Sequence, residues 1–175
     1  MTHADELVRH ARGLIDGQHG DEGGTPNDVI LRRALSSAYY GLFHRLTTAG
    51  SMPFAAGGEP LRSQATRAFG HTAMRKVCDA YVRSPERPFP PGLAPLNPRD
   101  PNPRLIRVAS AFALLQEGRY IADYDLSAVI QTAYAARLVG LAETALADFD
   151  AIQSFPETTV FLAALLLADR WTRRG

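Results

Sequence analysis

Apolar residues recur at helical spacing along most of this chain. In residues 4–16 they share one face, as is typical of an amphipathic helix. A second helix is predicted from near Pro26 to about Thr48, and shorter helices are predicted over residues 61–69 and 71–83. Since no segment shows the alternation of a β-strand, the pattern predicts an all-α bundle of five to six helices.

A proline-rich stretch interrupts this helical pattern. Residues 84–103 contain eight prolines, which predicts an extended surface loop rather than a helix. A loop of this length is often a lid or a partner contact, but a variable insertion without a role is equally compatible with the sequence. We treat the chain, residues 1–175, as a single helical domain that contains this loop.

The helical pattern resumes at Arg104, after the loop, and two further helices are predicted beyond residue 126. The first is long and covers residues 127–152, which contain no proline. The second is an additional C-terminal helix within residues 154–175, because Ser154 and Glu157 have the spacing of a capping box. Its run over 160–168 is apolar on all sides, so we expect it to fill the bundle centre or to form an oligomer interface.

Composition narrows the biochemical classes that fit this chain. With 46% hydrophobic and 21% charged residues the protein is not wholly disordered, and the single cysteine, Cys78, cannot form an internal disulfide. The N-terminal segment carries acidic residues that do not suit a signal peptide, so a cytoplasmic location is expected. Neither a glycine-rich phosphate loop nor a dinucleotide fingerprint nor zinc-type spacing is present, and we therefore predict no cofactor and no metal.

Charge is distributed unevenly along the chain. Residues 61–107 carry nine Lys/Arg against three Asp/Glu, whereas residues 108–157 carry two against seven. A basic half attracts phosphate, and an acidic half attracts a basic partner or a second copy of the chain. The excess of arginine over lysine has a second explanation in genome composition, in which case the basic surface has no binding role.

The second predicted helix carries a polar and aromatic stripe. Arg33, Ser37, Tyr40 and His44 lie at offsets of 0, 4, 7 and 11 residues and therefore share one face. Arg33 and His44 are separated by about 16 Å along the axis, so within one chain they cannot hold the same phosphate. The stripe is either part of a binding cleft or the hydrogen-bonded edge of a core.

A second polar cluster lies shortly before the long helix. Arg119 and Asp123 are one helical turn apart and can form an ion pair, and Tyr124 follows directly. The alternative is a purely structural role, in which this pair and the following Asp125 stabilise the ends of two helices.

Three motifs in order give the chain a family resemblance. They are "ALSSAYYGLFH" at 34–44, "GHTAMRKV" at 70–77 and "EGRYIADYD" at 117–125. Together they resemble the HEPN domain family, in its bacterial branch with an AYYxxFH helix and an RxxADYD motif. The resemblance implies an up-and-down helical bundle, a homodimer with a composite cleft, and a role in toxin–antitoxin or anti-phage defence. It also implies a protein partner, often a nucleotidyltransferase-type antitoxin.

Many members of that family are metal-independent ribonucleases, but the present chain departs from their catalytic signature. That signature is an arginine followed after four to six residues by a histidine. The nearest arrangement here is Arg67, which is separated from His71 by three residues. In addition, Ser37 replaces the usual arginine before the AYY motif. The candidate catalytic residues are His71 as acid or base and Arg67 or Arg75 as the cation. The candidate cleft residues, for RNA or a nucleotide, are Arg33, Tyr40, His44, Arg119, Asp123 and Tyr124. The alternative is a non-catalytic dimerisation or partner-binding module.

Overall fold

The computed structural model describes residues 1–17, 27–89 and 91–171, with side chains through residue 168, and all regular structure in these ranges is helical. This confirms the all-α prediction, but the described residues contain seven α-helices where five to six were predicted. Seven α-helices and two short 3-10 helices occur, in the order α1 His3–Ile15, α2 Asp28–Ser51, a 3-10 helix Met52–Gly57, α3 Glu59–Arg67, α4 His71–Arg83, a 3-10 helix Pro91–Leu96, α5 Pro103–Tyr124, α6 Thr132–Ile152 and α7 Pro156–Trp171.

Most of the predicted boundaries agree with this structure to within a few residues, and one is wrong. The predicted start of α2 near Pro26 lies outside the described residues. The long helix α6 begins at Thr132 and not at 127, because the Asp125 carboxylate accepts hydrogen bonds from the backbone N–H groups of Ser127 and Ala128, at 3.0 and 3.1 Å. Such a side-chain turn competes with helix formation and delays the start of α6.

The capping box predicted for α7 does not form. The Glu157 carboxylate accepts the backbone N–H of Asn102 instead, with oxygens at 3.1 and 3.3 Å from that nitrogen. The Thr158 hydroxyl donates to the carbonyl of Ile152 at 2.8 Å and ties the start of α7 to the end of α6. The Glu157 carboxylate in the first turn of α7 still interacts favourably with the helix dipole, but its hydrogen-bond partner comes from another segment of the chain.

The described residues of the proline-rich loop contain no α-helix before Pro103, where α5 begins, although Pro91–Leu96 forms a 3-10 helix. Phe89 anchors the loop, because its ring lies 5.8 Å from that of buried Tyr81 and its N–H donates to the Asn97 side chain at 3.1 Å.

The chain divides into two compact units. Unit 1 comprises Met1–His44 and Ala111–Ala147, and unit 2 comprises Arg45–Ser110 and Asp148–Gly175. Their sequences differ in charge: unit 1 has six Lys/Arg against ten Asp/Glu, or −4, whereas unit 2 has thirteen against eight, or +5. The charge asymmetry seen along the sequence is therefore also a difference between the two units.

The core of unit 1 is built around Tyr39, which is completely buried and packs 5.6 Å from the ring of Phe112. Helix α1 lies close to α2 at Gly41, where a Cβ would overlap the side chain of Val8. Glycine is used here because the two backbones approach each other too closely for any side chain.

The core of unit 2 is centred on Tyr81 of α4. Its ring is completely buried and meets the ring of Phe161 of α7 edge-on at 4.9 Å. Helix α7 has one buried face, formed by Phe161, Ala164, Leu165 and Ala168, while Leu166 and Leu167 remain half-buried. The expectation that α7 is buried on more than one side is met only in part, since the other side of the run is half-buried within the chain.

Candidate functional site

Arg119 is the centre of a polar cluster in unit 1. Its guanidinium lies over the rings of Tyr40 and Tyr124, 5.6 and 5.3 Å from their centroids, and donates to both hydroxyls at 3.2 and 3.4 Å. Its Nε atom is 2.5 Å from Asp123 Oδ2, so the ion pair predicted from the spacing does form. This cluster brings together four of the six predicted cleft residues.

The charge of Arg119 is neutralised within the cluster by Asp123. The side chain of Arg119 is only 19% exposed, and Asp123 also accepts a hydrogen bond from the Ser36 hydroxyl at 2.5 Å. A guanidinium that already has a carboxylate and two aromatic faces as partners has little charge left for an incoming phosphate. The geometry is that of an interhelical anchor whose outer side presents tyrosine rings, of which Tyr124 is 62% exposed.

His44 extends the cluster along α2. Its ring stacks on that of Tyr40 with centroids 6.1 Å apart. The ring of His3, in α1, lies with its centroid 5.4 Å from that of His44. Burial, and to a smaller degree the nearby charge of His3, lowers the pKa of His44 below its ordinary value. His44 is therefore neutral at physiological pH and holds an unprotonated nitrogen, as a general base requires.

Arg33, the remaining predicted cleft residue, is exposed on α2 and makes no hydrogen bond or ion pair with any described residue. It does not join the Arg119 cluster. Its neighbour Arg32, which sequence reasoning did not select, has the more prominent structural role.

Arg32 connects α2 to the segment between α5 and α6, residues 125–131, which we call the α5–α6 loop. Its guanidinium donates to four backbone carbonyls, those of Ile121, Ala122, Asp125 and Ala128, at 3.2, 3.0, 2.9 and 2.6 Å. It also pairs with the Asp28 carboxylate at 2.5 Å, and its side chain is only 12% exposed. The available sequence signal was its helical register with the core residues Leu35 and Tyr39.

The predicted catalytic residues all lie in unit 2, at the junction of α3 and α4. Arg67 is the last residue of α3 and His71 the first of α4. Arg67 is exposed and has no hydrogen bond or ion pair among the described residues, whereas Arg75 donates to both carboxylate oxygens of Asp79 at 3.0 and 3.1 Å. Of the two arginines proposed to accompany His71, Arg67 is thus the one whose charge is not neutralised by such a pair.

The start of α4 provides further donors at this junction. Its N-cap is Gly70, and no side chain caps the first turn. Backbone N–H groups at an uncapped helix start carry partial positive charge and bind anions. Half-buried His71 is the first residue of the same helix, so the junction combines the cation Arg67, helix amides and an imidazole.

Unit 2 also contains an apolar groove of about 680 Å³, here called the α7 groove. The described lining has no charged residue and consists of Ala49, Gly50, Met52, Pro53, Phe54, Gln153, Thr159, Leu162, Ala163, Leu166 and Leu167. The half-buried apolar side of α7 therefore forms one wall of this groove.

Within the described ranges, no group of three or more His, Cys, Asp or Glu side chains is arranged to hold a metal ion. In the same ranges no helix has both the length and the hydropathy of a bilayer span. Comparisons with protein families, with curated proteins and with solved structures gave no match to this chain.

Proposed function

We propose that this protein is a HEPN-like RNA-binding protein of the toxin–antitoxin or anti-phage type, and that RNA contacts it at the α3–α4 junction. The observation that carries the proposal is Arg67, which ends α3, is separated from His71 by three residues, is exposed, and has no hydrogen bond or ion pair among the described residues, while the start of α4 is uncapped. The sequence of unit 2 carries +5, which attracts a polyanion, whereas that of unit 1 carries −4.

The junction suits a phosphodiester better than the Arg119 cluster does. A phosphate at the start of α4 is stabilised by backbone N–H groups and by the guanidinium of Arg67. Arg119, in contrast, is paired with Asp123 and enclosed by two tyrosines. We therefore place the phosphate-binding site in unit 2 and assign the tyrosine cluster a structural or partner-facing role.

The same residues support metal-independent cleavage of RNA. In this reaction His71 acts as the base and removes the proton from a ribose 2′-hydroxyl, and the 2′-oxygen then forms a bond to phosphorus while the bond to the 5′-oxygen breaks. The leaving 5′-oxygen takes a proton from an acid, either water or His71 of a second copy in a dimer. Arg67 stabilises the negative charge on the pentavalent phosphorus. The products are a 2′,3′-cyclic phosphate and a 5′-hydroxyl end.

The test uses purified protein, labelled single-stranded RNA and tRNA, and buffer with EDTA. Cleavage should be lost in His71→Ala and should fall at least tenfold in Arg67→Ala, with circular dichroism showing that both variants are folded. Arg33→Ala is the matched control, since Arg33 is also exposed and without a hydrogen bond or ion pair in the described part of the chain, but belongs to acidic unit 1. If Arg33→Ala and His44→Ala abolish cleavage while Arg67→Ala does not, the site lies in unit 1 and our assignment is wrong.

RNA binding can be measured independently of cleavage. Arg67→Ala should weaken binding several-fold and lower the slope of log affinity against log salt by about 1, because one phosphate contact is removed. Arg33→Ala should leave that slope unchanged. Equal slopes for the wild type and Arg67→Ala would contradict a phosphate contact at Arg67.

A second candidate function is a non-catalytic partner-binding module. It is favoured by four exposed apolar or aromatic side chains in acidic unit 1: Tyr120, Tyr124, Leu126 and Val129, which are 64, 62, 84 and 88% exposed. A protein partner, such as a nucleotidyltransferase-type antitoxin, would cover them. Binding of RNA without cleavage, together with full tolerance of His71→Ala in cells, would favour this second function over the first.

A further inference from the structure

The α5–α6 loop combines exposed apolar side chains with a fixed backbone. Leu126 and Val129 are 84 and 88% exposed, although the loop carbonyls of Asp125 and Ala128 accept hydrogen bonds from the guanidinium of Arg32. The backbone N–H of Ile130 donates to Asp28 at 3.4 Å and fixes the far side of the loop. A loop that is held in place loses little conformational entropy when its side chains enter a partner surface.

The surroundings of this loop are acidic. The stretch 117–131 contains three carboxylates and one arginine, and that arginine, Arg119, is turned inward onto Tyr40 and Tyr124. Asp123 is paired with this arginine, but Glu117 is exposed, and hydrogen bonds from Ser127 lower the pKa of Asp125, so that its carboxyl is charged at neutral pH. A binding surface complementary to this loop is therefore apolar and belongs to a partner, or part of a partner, with net positive charge.

The chain itself contains a surface of that description. The α7 groove has an uncharged lining and a volume of about 680 Å³, which lies in the range of roughly 300–1,000 Å³ that is typical of ligand pockets. It belongs to unit 2, whose sequence carries +5. The groove thus offers an apolar site for two aliphatic side chains, and its unit carries the charge that attracts the acidic loop.

We propose that the α5–α6 loop of one copy docks in the α7 groove of a second copy, with Leu126 and Val129 as the inserted side chains. The contact is heterologous, since it joins two different surfaces, and each copy retains one free loop and one free groove. It goes beyond the proposed function and does not depend on RNA, and it differs from the symmetric dimer that the family resemblance implies.

The first experiment is sedimentation equilibrium of the full chain from about 1 to 200 µM, at low and high salt. Two variants leave the net charge unchanged: Leu126→Ser with Val129→Ser removes the inserted side chains, and Ala163→Gln narrows the groove. Val82→Ser is the control, since Val82 is an apolar residue of unit 2, 43% exposed, outside the groove lining. We expect the wild type and the control to associate, and to do so more weakly at high salt. The loop variant (Leu126→Ser with Val129→Ser) and the groove variant (Ala163→Gln) should each stay monomeric at the same concentrations.

The decisive step is to mix the loop variant with the groove variant. The first retains an intact groove and the second an intact loop, so the mixture should form a 1:1 heterodimer that grows no further. A symmetric loop-to-loop dimer would survive Ala163→Gln, and a groove-to-groove dimer would survive the loop substitutions; either result would overturn the proposal. A wild type that remains monomeric up to 200 µM at low salt would also overturn it, whether or not the protein cleaves RNA.

Discussion

Replacement of Arg32 by methionine tests whether one buried guanidinium holds the α5–α6 loop to α2. Methionine keeps most of the apolar length of the side chain but removes the charge and all of its donors. Four carbonyl oxygens and the Asp28 carboxylate then lose their hydrogen bonds from the guanidinium, although Ile121 and Asp28 keep one backbone N–H donor each. The carbonyls of Ile121 and Ala122 lie near the end of α5, where a cation is also favourable for the helix dipole.

The size of the effect follows from the burial of these groups. A hydrogen bond to a charged group contributes about 1.5–3 kcal/mol, but the bonds are not additive and water replaces part of what is lost at a half-buried site. For a side chain that is 12% exposed we expect Arg32→Met to lower the free energy of unfolding by about 2–4 kcal/mol. In a chain of this size that corresponds to a fall in Tm of about 5–12 °C.

The assay is urea denaturation followed by circular dichroism at 222 nm, with Arg33→Met as the control. Arg33 adjoins Arg32 in α2 but is exposed and has no partner among the described residues, so its replacement should change stability by no more than about 0.5 kcal/mol. Hydrogen exchange should also accelerate at the amides of Ser127 and Ala128 in Arg32→Met. If both variants lose the same stability, or if loop exchange is unchanged, the reasoning about Arg32 is refuted.

Three further predictions concern the two cores. The pKa of His44 is lowered from 6.5 in the folded protein. Its contribution to stability is therefore present above about pH 6.5 and is lost as pH falls through the lowered value. We expect the urea midpoint of the wild type to drop more between pH 7.5 and 5 than that of His44→Gln. Gly41→Ala should cost about 1–3 kcal/mol, since its Cβ would overlap Val8, whereas Gly92→Ala, with open space around it, should be neutral in the same urea titration. Tyr81→Phe should leave stability unchanged or raise it by up to about 1 kcal/mol in a thermal melt, because the buried hydroxyl has no hydrogen-bond partner among the described residues; a large loss would reveal a partner for that hydroxyl.

Features that depend on neighbouring residues were predictable from the sequence. The bounds of α4 follow from helical periodicity after Gly70, and the Arg119–Asp123 pair follows from a separation of one turn. The resemblance to HEPN proteins and the role of His71 remain predictions, since they rest on motifs that the fold alone does not test.

Features that depend on distant segments were decided by tertiary structure. Arg32 and Arg33 are adjacent and chemically identical, yet one is bonded to carbonyls about ninety positions further along the chain and the other is exposed. Glu157 has capping-box spacing but accepts the amide of Asn102, 55 positions away. Local spacing determines which face of a helix a residue occupies, because helix geometry is local, but it cannot determine which group that face meets, because the partner is brought there by packing of the whole chain.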